Sequence, residues 1–333
     1  MTFSLSDIRL FIMTANRPAF CKQALESLLA SSKGEPLDIW VLDNSGNDET
    51  KEMLRPYPGI HYVKTDVKTS FANLKKMQEL MQTPYALTLH DDDLLHPDYL
   101  ELALQVLNKY PDVSLVGSKQ SHFFTAQPPQ EYCSRSKLST AHWLLEDQAD
   151  FALSFWDKPS LSWSGSIIKS ELYKKVLPDV LRQRYGKIFD WPLLVEAMQT
   201  GKAVSFCDKN CFFYRIHAQQ DTVCDATGVT LEQLVNWEDF FRRYASTKRG
   251  LYKIYFRRAI TNLLDNWRVF TSSRERAQKT EKELLQYAKS RRLITPGMLF
   301  FHQMAQRGIT KILTVPFKLY YKRNYYGKML KRL

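Results

Sequence analysis

Apolar residues in the first part of the chain come in short runs separated by stretches with helical spacing. Ile8 to Thr14 (IRLFIMT) is a short, mainly apolar run, and it stops at Ala15-Asn16-Arg17-Pro18, where the proline suits a first helical turn. Phe20, Ala24, Leu25, Leu28 and Leu29 then recur at helical intervals, which predicts a helix over 18–32. A second run, Leu37 to Ser45 (LDIWVLDNS), ends in polar turn residues. The succession repeats with a helix near 47–55, a strand at Ile60 to Val63, a helix near 70–82 and a strand at Thr83 to His90. That last strand runs directly into Asp91-Asp92-Asp93. Alternating elements of this length predict an α/β fold, an open and mostly parallel sheet with helices on both faces.

Beyond residue 110 the pattern changes. Val113 to Gln120 and Ser162 to Ser170 (SWSGSIIKS) flank a polar, proline-containing loop near 126–140. A helix at about 190–200, a strand Ala203 to Asp208 and the run Cys211 to His217 (CFFYRIH) follow. From about 230 the spacing is helical and rich in Arg, Lys, Tyr and Trp. The expected division is an α/β domain over 1–225 and a basic α-helical C-terminal region over 226–333.

Composition narrows the classes. The 333 residues, 44% hydrophobic, suffice for one large core or one core with a smaller appended region. No stretch has the roughly 18 consecutive apolar residues of a membrane span, and the N-terminus lacks a basic segment before its apolar run, so a cytoplasmic location is expected. Cys21, Cys133, Cys207, Cys211 and Cys224 show no paired spacing, which argues against a disulfide framework or a zinc site. The net charge of +12 is unevenly placed: residues 1–241 carry 24 Lys and Arg against 31 Asp and Glu, and 242–333 carry 23 against 4. An acidic front unit disfavours nucleic acid as a partner, whereas a basic, aromatic tail has the composition of a segment that associates with an anionic membrane surface.

In parallel α/β sheets, ligands gather at the carboxyl ends of strands. Three such ends carry suitable chemistry: Thr14-Ala15-Asn16-Arg17, Asp43-Asn44-Ser45 and Asp91-Asp92-Asp93. Neither a dinucleotide-type glycine fingerprint nor a P-loop is present, which removes the usual support for a dinucleotide cofactor or P-loop ATP hydrolysis. Three adjacent carboxylates repel one another unless a cation or hydrogen-bond donors offset them, and hard oxygen ligands suit Mn²⁺ or Mg²⁺.

On these motifs the chain resembles glycosyltransferase family 2 enzymes of the GT-A fold, over about residues 8–220. The resemblance rests on TANRP, VLDNS, LHDDDLLHPDYL, FDWPLLVEAMQTGKAV and YRIHAQQDT in this order and spacing. It implies a nucleotide-sugar donor, with a UDP-sugar first among them, held by Thr14, Asn16, Arg17, Asp43 and Asn73. It maps the D-x-D function onto Asp91, near the ribose or metal shell, and Asp93, between metal and diphosphate. Asp92 is placed with the donor-site residues, although alternation of side chains along an extended segment would turn it away from the other two. His217 is the expected second metal group, and Trp163, Ser164 and Gly165 are expected to face the acceptor. His90 and His96 are expected to pack and hydrogen-bond.

The resemblance further assigns Asp190 as the base that deprotonates the acceptor hydroxyl; Phe189 stands where an acidic residue is common. A separate base and one direct attack at the anomeric carbon imply inversion. The expected acceptor is a saccharide, lipid-linked saccharides included, in bacterial surface polysaccharide assembly such as capsule or lipopolysaccharide synthesis, with the enzyme at the inner face of the cell membrane. Two other readings are a nucleotidyltransferase, disfavoured by the lack of a basic glycine-rich loop after the first strand, and an inactive scaffold. The joint presence of Asp43, Asp91, Asp93, Asp190 and His217 argues against the scaffold.

Overall fold

The computed structural model describes residues 2–65, 70–133, 142–155, 161–198, 201–217 and 231–248, together with 282, 283, 286, 287, 289, 290, 331 and 332. The expected basic region beyond Lys248 therefore lies almost wholly outside the described residues, as do residues 218–222 of the YRIHAQQDT motif.

The apolar runs form strands β1 (Ile8–Thr14), β2 (Asp38–Asp43), β3 (His61–Lys64) and β4 (Tyr85–His90), joined through helices α1 (Pro18–Ser31), α2 (Glu49–Leu54) and α3 (Ser70–Leu80). After β4 come β5 (Leu94–Leu95), α4 (Tyr99–Lys109), β6 (Val113–Phe123), β7 (His142–Leu145), α5 (Gln148–Ser154) and β8 (Ser166–Lys169). The rest of the described chain comprises α6 (Ser170–Tyr173), α7 (Pro178–Tyr185), α8 (Asp190–Ala197), β9 (Lys202–Arg215), α9 (Leu231–Tyr244) and β10 (Lys331–Arg332).

The sheet runs β10-β7-β9-β6-β8-β4-β1-β2-β3, with β5 paired to β9. Pairings of β1 with β2 and β4, of β2 with β3, and of β6 with β9 are parallel. On that path β8 and β7 run against the rest. The expected mostly parallel sheet is present, and its register brings Thr14 beside Asp43, and Met13 beside His90. Three polar strand ends thus converge on one edge.

Both faces of this sheet are covered, which is why the strands read as continuous apolar runs. Ile8, Leu10 and Ile12 pack with α1 and α4 residues, including Leu25, Leu28, Leu100 and Leu107. The intervening Phe11 and Met13 pack on the other side with residues of α3, α5, α7 and α8. The two-residue period of the strand decides which core each side chain enters. α9 joins the second core through Trp237, Phe240, Phe241 and Tyr244. Trp237 stacks on Trp191 at 5.9 Å, and Arg184 makes a two-pronged contact with Asp239. The first described helix of the C-terminal region is therefore built into the core of the α/β unit. Among the described residues, no helix is long and apolar enough to cross a membrane.

Candidate active site

Asn16, the second residue after β1, has φ +56°, a left-handed conformation that asparagine tolerates better than most residues. Its N–H donates to Ser45 Oγ at 2.6 Å and its Oδ1 accepts from Gly46 N at 3.0 Å. These bonds tie the loops after β1 and β2 into one rim. Asp43 lies fully buried beneath that rim. Its Oδ1 accepts from Ser45 N at 2.8 Å and from the Ser45 hydroxyl, and its Oδ2 accepts from Tyr62 at 2.9 Å with Lys64 Nζ at 3.7 Å. Asn73 is likewise buried; it donates to Leu42 O at 3.0 Å and accepts from Thr65 Oγ1 at 2.7 Å. In this structure Asn73 ties α3 to the end of β2.

The acidic triplet forms a turn directly after β4: Asp93 N donates to His90 O at 3.2 Å. The alternation expected of an extended segment does not hold there. Instead the carboxylates divide between two neighbouring clusters. Asp91 Oδ2 accepts from Thr14 Oγ1 at 2.8 Å and Arg17 Nε at 3.0 Å, and Arg17 Nη2 lies 2.5 Å from Asp91 Oδ1. Arg17 Nη1 also donates to Asp92 Oδ2 at 3.1 Å, and the same oxygen lies 3.0 Å from His217 Nε2. Asp93 Oδ2 accepts from Ser164 Oγ at 2.6 Å, and its Oδ1 accepts from Arg215 N at 3.1 Å.

His90, Asp92 and Asp93 each place one ligand atom within 4.8 Å of the others, a group of the right kind to hold a divalent ion. One imidazole and two carboxylates form a donor set that suits Mn²⁺. The electrostatics agree. Burial, then the charge of Asp92, holds the Asp93 carboxyl well above its usual range, against the Ser164 and Arg215 donors. Burial pushes Asp91 up to about 7 despite Arg17 beside it. For Asp92 burial acts in the same upward sense, but His90, Arg17 and His217 outweigh it and bring the carboxyl below its usual value. A cation placed among these groups would offset the repulsion that the fold concentrates there.

His217, expected as a metal group, is not one of the three but adjoins them through Asp92, whereas His90 joins without having been expected to. The sign that marked His90 was its position at the last residue of β4, next to the carboxylates. His96, by contrast, is buried; its Nδ1 accepts from Asp98 N at 3.1 Å and its ring stacks near Phe213 at 6.5 Å.

The expected acceptor-facing stretch packs on the same turn. The Trp163 ring meets His90 edge-on at 5.2 Å and Phe189 at 6.0 Å, and Ser164 Oγ accepts from His90 N at 3.0 Å while donating to Asp93. Gly165 has φ +79°, and its N–H donates to Thr88 O at 2.7 Å. A Cβ there would come within 2.4 Å of the Phe212 ring, so close approach of backbone to ring requires glycine. Asp190 follows Phe189 at the start of α8 and is partly buried. Burial pushes its carboxyl up to about 6, against the backbone N–H groups of Asp190 and Trp191 and the charge of Arg182. Its neighbour Phe189 joins it to the acidic turn through the Trp163 and His90 rings.

Residues 10–177, half of the chain, match the family model described as Glycosyl transferase family 2. No curated protein matches the sequence. The fold is similar to that of S. aureus TarS 1-349 in complex with UDP-GlcNAc, at 12% identity, with 96% of this chain and 93% of that chain covered and a TM-score of 0.58. The complex of TarS 1-349 with UDP gives 13% identity, 96% and 92% coverage and a TM-score of 0.55. Similar too is mannosyltransferase PcManGT from Pyrobaculum calidifontis in complex with GDP-Man and Mn2+, at 14% identity, 94% and 82% coverage and a TM-score of 0.50. At such identities the structural likeness concerns the fold, and it is the family model, matched across the strand ends that build the acidic turn, by which this chain belongs to glycosyl transferase family 2.

Proposed function

We propose that the protein is a metal-dependent, inverting glycosyltransferase that moves a sugar from a nucleoside-diphosphate sugar to a saccharide acceptor. The observation that carries this reading is the convergence of the β1, β2 and β4 ends on the His90–Asp92–Asp93 group, with Asp190 across the Trp163–Phe189 contact. The ends of β1 and β2, with Thr14, Asn16, Arg17 and Asp43, form the nucleotide end. TarS 1-349 and PcManGT, similar in fold, were solved with UDP-GlcNAc and with GDP-Man and Mn2+, which supports a nucleotide-sugar donor and Mn²⁺ or Mg²⁺.

The residues present fit such an ion. Asp93, Asp92 and His90 would hold it with His217 alongside, and when bound it neutralises charge on a leaving diphosphate. Arg17, already paired with Asp91 and Asp92, offers a guanidinium to donor phosphate oxygens. Asp190 takes the proton from the acceptor hydroxyl, and the Trp163 indole forms part of the wall between the two ends. A UDP-sugar donor is the first expectation, with a lipid-linked saccharide as acceptor and the basic C-terminal region at the inner membrane surface. The setting in surface polysaccharide synthesis belongs to the same reading.

The test is release of nucleoside diphosphate from a panel of UDP- and GDP-sugars, with Mn²⁺ or with chelator, for wild type and Asp190→Asn. Metal-dependent turnover of one donor, lost in the variant, is the expected result. Turnover unaffected by chelator would remove the metal, and turnover retained in Asp190→Asn would remove the base.

A further inference from the structure

Arg215, the last residue of β9, is 1% exposed, an unusual place for a charged side chain. Its guanidinium donates from Nε to the main-chain oxygen of Asp92 at 2.8 Å, from Nη1 to Thr125 O at 2.6 Å and from Nη2 to Gln23 Oε1 at 2.5 Å. The rings of Phe20 and Phe123 lie on it, each 4.5 Å from the guanidinium carbon. Its own N–H holds Asp93 Oδ1. One residue therefore fixes the carbonyl of Asp92 and the carboxylate of Asp93, two neighbouring members of the cation group. Its other bonds run to α1 and to the segment after β6. Phe20 carries the same support to His217, whose ring lies 5.1 Å away.

We propose that Arg215 is a positioning residue that sets the shape of the acidic turn, and through it the cation affinity of the His90–Asp92–Asp93 group. The proposal rests on the metal reading above. A planar fork with donors in fixed directions can join three segments at once, which an ammonium group on a flexible stem cannot. Arg215 also supplies, with Arg17, positive charge beside the three carboxylates, so the turn folds without its full repulsion and still leaves Asp93 and Asp92 facing His90. The side chain is too deeply buried to touch a substrate, and its effect passes through the turn.

The test compares wild type with Arg215→Lys, which keeps the charge and loses the fork. Backbone hydrogen exchange is followed by peptide, and binding of Mn²⁺ alone is followed by electron paramagnetic resonance. The expected result is faster exchange confined to 90–96, with β1 and β2 unchanged, and Mn²⁺ affinity weaker by about tenfold or more, the range for groups supporting metal ligands. Unchanged exchange at 90–96, or acceleration spread evenly over the sheet, would overturn the proposal. Faster local exchange with wild-type Mn²⁺ affinity would overturn it too. If Arg215→Lys does not fold, Gln23→Ala, which removes only the Nη2 partner, should give the same local pattern with a smaller loss of affinity; no change in either readout counts against the proposal. Wild-type protein that binds no Mn²⁺ would refute the metal reading and the cation half of this proposal, while the exchange comparison still decides whether Arg215 shapes the turn.

Discussion

Consider Asp190→Asn, a change that alters one atom and removes one charge. Burial raises the carboxyl from an ordinary 3.8 to about 6 in the folded protein. Each pKa unit is worth about 1.4 kcal/mol, so ionised Asp190 costs the folded state about 3 kcal/mol at neutral pH. The sign follows from proton counting. Between the two pKa values the folded chain holds a proton that the unfolded chain has released, so stability falls as pH rises through this window and levels off above it. Asparagine carries no such penalty, although it binds the N–H groups of residues 190 and 191 less strongly than a carboxylate does, by about 1 kcal/mol. The variant should thus be more stable than wild type by about 2 kcal/mol at pH 7.5, and the gap should fall to about 0.5 kcal/mol at pH 5. Urea unfolding at the two pH values measures this directly. The same variant should lose at least about 100-fold in transfer rate, the usual contribution of a general base. A variant that is inactive and less stable at pH 7.5 would show that Asp190 serves to cap α8, and would refute the argument from burial.

Other substitutions probe the remaining parts. Wild-type kcat/KM should fall as pH drops through about 6, as Asp190 becomes protonated, and a flat profile between pH 5 and 8 would exclude it as the base. Gly165→Ala forces a Cβ against the Phe212 ring at a positive φ, and should cost about 2–4 kcal/mol of stability in chemical unfolding. Trp237→Ala removes the indole stacked on Trp191 and should destabilise the chain by about 3–5 kcal/mol within a single cooperative transition, whereas a second transition would show that α9 unfolds apart from the core. Arg17→Met leaves Asp91 buried without its ion pair and should weaken nucleotide-sugar binding in calorimetric titration by about tenfold or more.

Much of the front half was legible because its physics is local. Strands covered on both faces are mainly apolar, and each ends where polar side chains can reach solvent or ligand, so Thr14, Asp43 and Asp91 marked the strand ends directly. The divided orientation of the triplet was not legible, since it depends on the turn closed by Asp93 N and His90 O, and no periodicity encodes a turn of that kind. His90 looked like a packing residue for the same reason. Arg215 was hidden inside YRIH because its partners Gln23, Asp92 and Thr125 are distant in sequence and two of the three acceptors are main-chain oxygens. The strand expected over Ala203 to Asp208 and the run from Cys211 prove to be one element, β9, which changes register against β6 near Lys119. The close approach of Gly165 to Phe212 was not legible either, since only tertiary structure reveals it.

The central claim is a metal-bound nucleotide-sugar site at the acidic turn, and thermal unfolding of wild type and Asp93→Ala with a panel of nucleoside diphosphates and their sugars, in Mn²⁺ or in chelator, tests it most directly. The account predicts a Mn²⁺-dependent rise in melting temperature for one nucleotide, absent in folded Asp93→Ala. Equal shifts in Mn²⁺ and chelator, or an undiminished shift in Asp93→Ala, would contradict it.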